Sequence, residues 1–260
     1  MVQTIITGAY GAIGKAIATG LAGNAQNRVL MIGRDPERLS SAAKEVKERT
    51  GNRNVEPHVA DLSQRRDIEK LANTITGPVQ LLINNASTTS RKRRESTEGI
   101  EIQWAVNVLG YYRMIMAFKS HLVNAAPARV VNVASYWAGG LDLDDPEFNR
   151  RRYDNDMAYR QSKQAERMMA RYLADTFCDV NITVNACHPG DVNSKLSNDL
   201  GFGGNETPEE GADTPLWLAQ SQEVANLTGK YFEHRRMHQC QFAENKHAIA
   251  KLMKLIEQYG

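Results

Sequence analysis

The segment AYRQSK places Tyr159 and Lys163 four positions apart. On a helix, that spacing sets both side chains one turn apart on the same face. A free phenol titrates near pH 10 and is a poor acid–base catalyst at neutral pH. A neighbouring ammonium favours the phenolate and draws the group toward the pH at which it can donate or accept a proton. Such a pair suits a step in which a proton is given to or taken from a substrate. Chance also produces i, i+4 pairs on any amphipathic surface helix, so the pair acquires meaning only from its neighbours.

A second candidate lies near the start of the chain, where TGAYGAIG, Thr7 to Gly14, follows the strand-like QTIIT and precedes the helix-like KAIATGLA. Glycines at a strand-to-helix turn let backbone approach a pyrophosphate, whose charge is met by the helix N-terminus. The alternative is a tight turn of small residues made for packing. Past the second strand-like run, RVLMIG, stands Arg34, at the point where such folds read the ribose 2′ position. A guanidinium grips a 2′-phosphate through paired hydrogen bonds, so NADP(H) is expected over NAD(H). Asp35 is assigned to capping the helix begun by Pro36.

Six strand-like runs, at 3–7, 28–33, 55–61, 79–86, 128–135 and 181–190, with a weaker one at 229–233, alternate with helix-like segments. The helical segments are 13–23, 36–50, 64–74, 98–124, 157–177, 208–220 and 244–259. Near-continuous apolar strands alternating with helices predict an α/β fold, a doubly wound parallel sheet of Rossmann type in a single domain spanning 1–260. Its chemistry belongs at the carboxyl ends of the strands, near the switch in strand order. The net charge of +2, from 32 Lys+Arg and 30 Asp+Glu, argues against a nucleic-acid partner. The 3 cysteines, widely spaced, fit a reducing compartment. No apolar run approaches the roughly 18 residues of a membrane span, and no signal sequence precedes the first strand. A soluble, cytoplasmic protein with no membrane partner is expected.

Taken in order, TGAYGAIG, VADL (59–62), NNAS (84–87), NVLG (107–110), VVNVAS (130–135), AYRQSK and HPGDVNS (188–194) resemble the short-chain dehydrogenases/reductases. STEGIEIQWAVNVLGYY, RRRYDNDMAYRQSKQAE, TPEEGADT and GKYFE look most like its retinol dehydrogenase branch. Three positions depart from the family pattern. Gly8, Gly11 and Gly14 are spaced as in epimerase-type relatives, with Ala12 where short members carry glycine; Ser87 replaces the last glycine of NNAG; Ala134 precedes Ser135 where serine is common.

The resemblance implies that Tyr159 is the general acid/base and that Lys163 also bonds the nicotinamide ribose. Ser135 would hold the substrate oxygen, and Asn107 would steady a water relaying protons to Lys163. It implies cofactor contacts from Gly8, Tyr10, Gly11, Ala12, Ile13, Gly14, Asn85 and Ala86. Asp61 would accept from the adenine amino group, or serve as a turn or cap residue, with Leu62 nearby. Pro189 and Gly190 would shape the nicotinamide pocket, with the Val192 backbone and the Ser194 hydroxyl at the carboxamide. Substrate loops are expected at 87–97, 136–157 and 191–215, the last a mobile lid. Ser87, Tyr136 and Trp137 are candidate substrate contacts, although the two aromatics could equally pack the loop. RKRR (91–94) and RRR (150–152) are solvated loops or, less simply, a dock for an anionic substrate or carrier. His234, His238 and Cys240 lack a fourth ligand at metal spacing, so no metal is expected. Segments 98–124 and 157–177 correspond to helices through which relatives form homodimers and homotetramers, unless MMARYLADTF faces the sheet. The expected activity is that of an NADP(H)-dependent carbonyl reductase or alcohol dehydrogenase. An epimerase or dehydratase, or a non-catalytic dinucleotide sensor, is the alternative.

Overall fold

A computed structural model describes residues 2–259. Its 8-stranded sheet runs in the order β3-β2-β1-β4-β5-β6-β7-β8. The central strands are β1 (Gln3–Thr7), β2 (Arg28–Gly33), β4 (Leu81–Asn84), β5 (Ala128–Val133) and β6 (Ile182–Cys187). They are parallel and almost wholly buried, as expected of strands covered on both faces. The edge strand β3 (Val55–Val59) carries Pro57, tolerable where the ladder has no outer partner to satisfy. At the other edge, β7 (Tyr231–Glu233) turns back through His234 and Arg235 into the antiparallel β8 (Arg236–His238). That hairpin takes up His234 and His238 of the segment weighed above as a metal site, and Cys240 follows it. Among the described residues no group of His, Cys, Asp and Glu is arranged to hold a metal.

One face of the sheet is covered by α1 (Ala12–Ala22), α2 (Pro36–Thr50) and α8 (Pro208–Gln220), which supply Ile17, Leu21, Leu39 and Leu218 to a buried core. The other carries α3 (Arg65–Thr74), α4 (Gly110–Ala117), α5 (Lys119–Asn124), α6 (Asn155–Thr176) and α9 (Lys246–Glu257) around Trp104, Tyr111, Met168 and Leu252. Caps fix where the helices near the site begin. Asp35 accepts the Arg38 N–H at 3.0 Å ahead of Pro36, and Asp154 accepts that of Met157 at 2.8 Å.

Two segments depart from the sequence expectation. The helix expected over 98–124 begins only at Ile102, passes through a π-helical stretch, Trp104–Leu109, and breaks at Phe118. Its would-be first turn is held instead in a bridge between Glu95 and Glu101. The expected lid 191–215 contains a short helix, α7 (Lys195–Leu200), a bridge from Val192 to Glu206 and the first turns of α8.

Candidate active site

Strand order reverses between β2-β1 and β4-β5, and the carboxyl ends of β1 and β4 meet there. The glycine turn leaves β1 through Gly8, whose φ of +64 is a left-handed conformation that L side chains avoid. A Cβ on Gly8 would lie 2.7 Å from the Ala86 Cα, so the turn presses directly on the exit of β4. Hydrogen bonds fasten this contact: Asn85 Nδ2 donates to the Thr7 carbonyl at 2.9 Å, and the Asn85 and Ala86 N–H groups donate to Thr7 Oγ1 at 2.9 and 3.0 Å. The side chain of Asn85 therefore shapes the turn. Gly11 begins α1 without a side-chain cap, and no acidic residue occupies the first turn, which leaves helix N–H groups free for an anion.

A cleft of about 350 Å³ opens at this point. Its wall includes Gly8, Tyr10, Gly11, Ala12, Ile13, Gly14, Arg34, Asp61, Leu62, Asn85, Ala86, Ser87, Tyr159, Lys163, Pro189 and Ser194. Arg38 is also on the wall, in the first turn of α2 and four residues after Arg34. Its guanidinium carbon lies 4.5 Å from the Tyr10 ring centroid. A Cβ on Gly33 would meet the same ring at 2.5 Å, so Tyr10 stands between Gly33 and Arg38. Asp61 lines the cleft and also makes a turn, its Oδ1 accepting from Ser63 N and Oγ at 3.0 and 2.8 Å. Both readings of that residue are compatible. Ser87 Oγ is buried with no protein partner among the described residues.

At the other end, α6 carries Tyr159 and Lys163 on one face, 6% and 2% exposed. The Lys163 ammonium lies 5.5 Å from the Tyr159 ring centroid. It is not a free charge, because Nζ donates to Glu166 Oε1 at 2.8 Å, to Glu166 Oε2 at 3.1 Å and to the Val133 carbonyl at 3.2 Å. Glu166 is fully buried. The expectation that Lys163 lowers the phenol pKa is thereby corrected. Burial first, and the Glu166 charge second, hold Tyr159 above its ordinary value, with a hydrogen bond from Ser135 working against them.

Asn107 falls within the π-helical stretch and is buried. Its Oδ1 accepts the Thr88 N–H at 2.9 Å, and Nδ2 donates to the Thr88 carbonyl at 3.2 Å and to Ser162 Oγ at 3.1 Å. Three of the four hydrogen-bonding valences of an amide are thus used to tie the loop after β4 to the helices, leaving one lone pair. Ser135 follows β5; its Oγ accepts the Trp137 N–H at 3.0 Å, and its carbonyl accepts from the buried Arg167 at 2.6 Å. The Ser194 hydroxyl is likewise engaged, as the N-cap of α7 accepting Ser197 N–H at 3.1 Å. Gly190, at φ +103, passes under Glu206, whose carboxylate a Cβ would overlap, and Val192 is buried beneath Gly211. Asn107, Ser135, Gly190, Val192, Tyr136 and Trp137 are not part of the cleft wall.

The family model for "short chain dehydrogenase" matches residues 3–202. Human retinol dehydrogenase 13 is 32% identical over 249 residues, covering 88% of this chain and 75% of that protein. The chain belongs to the short chain dehydrogenase family. An uncharacterized protein of Mycobacterium Paratuberculosis shares its fold with a TM-score of 0.83 at 24% identity, over 99% of this chain and 92% of that one. The Pseudomonas aeruginosa protein RhlG, solved as an NADP active-site complex, superposes with a TM-score of 0.73 at 25% identity, over 90% and 94%.

Within this dehydrogenase, sequence reading missed Arg38, Glu166 and Arg167. Glu166 and Arg167 had a signal, since they stand three and four residues along α6 from Lys163, and Arg38 follows Arg34 by four positions at the start of α2. The aromatic candidates serve the loops: Trp137 meets Phe202 edge-on at 5.1 Å, and Tyr136 meets His188 at 4.6 Å. The basic runs do come together, but as a staple. Arg93 donates to the Glu147 carbonyl at 2.9 Å and to Asn149 at 2.7 Å, while Arg151 bonds Gln161 at 2.7 Å and stacks on Phe148.

Proposed function

We propose that this dehydrogenase is an NADP(H)-dependent oxidoreductase that interconverts a small alcohol and its ketone or aldehyde. The observation that carries the reading is the meeting of Tyr159 and Lys163 with the glycine turn on the wall of one cleft. The lining fits a dinucleotide: α1 begins on the cleft wall without a side-chain cap, and the Ser87 hydroxyl is buried with no partner among the described residues. The Gly8–Gly14 turn would hold the pyrophosphate, Asp61 and Leu62 the adenine side, and Lys163 the nicotinamide ribose. Pro189 and Ser194 would bound the nicotinamide, with Gly190 and Val192 supporting them from behind the wall and Ser194 rotating from its capping bond. Arg34 and Arg38 support NADP(H) over NAD(H), since neither has a carboxylate partner among the described residues and both line the adenine end. NADPH, when bound, would supply the hydride. Tyr159 donates its proton to the substrate oxygen, Ser135 holds that oxygen, and Asn107 fixes the loop closing the cavity; in oxidation Tyr159 takes the proton instead. The free thiols of Cys178, Cys187 and Cys240 support a cytoplasmic setting.

Tyr159→Phe tests the assignment by removing the proton and little else. Turnover of NADPH with a panel of ketones and aldehydes should fall by about 10²–10⁴-fold, with cofactor binding retained. Undiminished turnover in that variant would remove Tyr159 from the mechanism.

A further inference from the structure

The buried charge beside the proposed acid has not been accounted for by the reaction. Glu166 lies one turn beyond Lys163 on α6, is 0% exposed, and engages the ammonium with both carboxylate oxygens. A Lys ammonium has three protons, and here each has an acceptor in the protein. Burying a carboxylate costs several kcal/mol unless it is paired. A side chain that served only to fill space at this site would be apolar. The charged and titratable groups around Glu166 are Tyr159, Lys163 and Arg167 on α6, Tyr111 on α4 and Cys187 on β6. Lys163 is the one within bonding distance. Seen from the phenol, a cation and an anion 2.8 Å apart act as a dipole, whose field falls off far faster than that of a lone ammonium.

We propose that Glu166 is a positioning residue of the reaction: by matching the Lys163 charge it keeps Tyr159 in its proton-carrying form, and so fits the site to protonate the oxygen of a reduced carbonyl. This rests on the activity proposed above and adds its working direction. Burial pushes the Glu166 carboxyl up to about 7, against the pull of Lys163 and Arg167. Glu166 is therefore ionised in the alkaline range, where an unassisted phenol would begin to lose its proton. Lys163 remains available to a ribose hydroxyl by giving up one of its longer bonds, to Glu166 Oε2 or to Val133.

The test is a pH profile. For wild type and Glu166→Gln, kcat/KM is measured for alcohol oxidation with NADP⁺ and for carbonyl reduction with NADPH. With the carboxylate charge gone, the rise of oxidation with pH should move to lower pH by about 1 unit or more. The fall of reduction at high pH should move with it, and Glu166→Asp, which restores the charge, should return both toward wild type. A space-filling role would lower rates and leave the limbs in place. Unmoved limbs in a Glu166→Gln protein that binds NADPH overturn the proposal. Tyr159→Phe separates this failure from that of the parent reading: an active Tyr159→Phe refutes the parent reading, whereas an inactive one beside unmoved Glu166→Gln limbs refutes the role of Glu166 alone. If Glu166→Gln does not fold, carboxyl-¹³C glutamate labelling of the wild type decides. One buried carboxyl should titrate near 7, and a buried carboxyl that stays protonated through about pH 8 cannot match a lysine charge and ends the proposal.

Discussion

At the scale of single residues, the adenine end of the cleft offers a discriminating measurement. Arg34 and Arg38 are both exposed and both line the cleft, and the Asp35 carboxylate beside them is used by the Arg38 backbone N–H. That bond turns the Asp35 carboxylate to the start of α2, and neither Asp35 nor Glu37 lines the cleft, so the charges lining this end include the two arginines. A charge-assisted hydrogen bond contributes about 1.5–3 kcal/mol, or about 10–100-fold in affinity. Arg34→Ala should weaken NADPH binding by that factor and leave NADH binding nearly unchanged, as read by quenching of protein fluorescence in titrations with each. Arg38→Ala should do the same and should also loosen Tyr10, whose ring it covers. Equal losses for both cofactors would assign the arginines to packing.

At the scale of elements, the strand-turn-helix of β1, Gly8 and α1 was legible in the sequence because its signal is local: an apolar run, glycines and an amphipathic helix in succession. Other features depend on contacts distant in sequence and left no local trace. The π-helical Trp104–Leu109 is set partly by Asn107 reaching Thr88 and by Gly110 packing against Leu62, so a 3.6-residue period across 98–124 could not reveal it. Spacing places Glu166 on the face of Tyr159 and Lys163, but not its burial, which arises because α6 lies between the sheet and α9. The turn itself makes a sharp prediction. Gly8→Ala must place a methyl 2.7 Å from the Ala86 Cα in a left-handed backbone, where it cannot shift without moving β4. Its cost should exceed about 1 kcal/mol of stability, read from the urea midpoint, and cofactor binding should weaken along with it. A Gly8→Ala protein with wild-type stability and affinity would contradict the close contact of turn and strand.

At the scale of the whole molecule, two distant parts of the chain determine how α6 is used. Helix α9 packs on it and buries Ile249, Leu252, Met253 and Ile256, so Met168, Met169 and Leu173 are covered within one chain. An oligomer would thus draw on other faces than the apolar side of MMARYLADTF. From the middle of α6, Arg167 reaches the Ser135 carbonyl, near His188 at the exit of β6. Burial, with His234 and Arg167 adding to it, holds the His188 imidazole down at about 3, and its ring packs against Tyr136 and lies 6.5 Å from that of His234. A histidine whose folded value lies below its unfolded one binds fewer protons in the native state. Its contribution is therefore complete above the unfolded value near 6.5 and is lost as pH falls toward the folded value. Between pH 7 and pH 5 this single group should remove about 2 kcal/mol of stability. Denaturant midpoints measured at both pH values should give wild type that much more acid sensitivity than His188→Asn, which lacks the titrating ring. Equal acid slopes in the two proteins would mean that His188 accepts its proton in the native state, and that the tie between β6, α6 and the 136–157 loop opens well above pH 5.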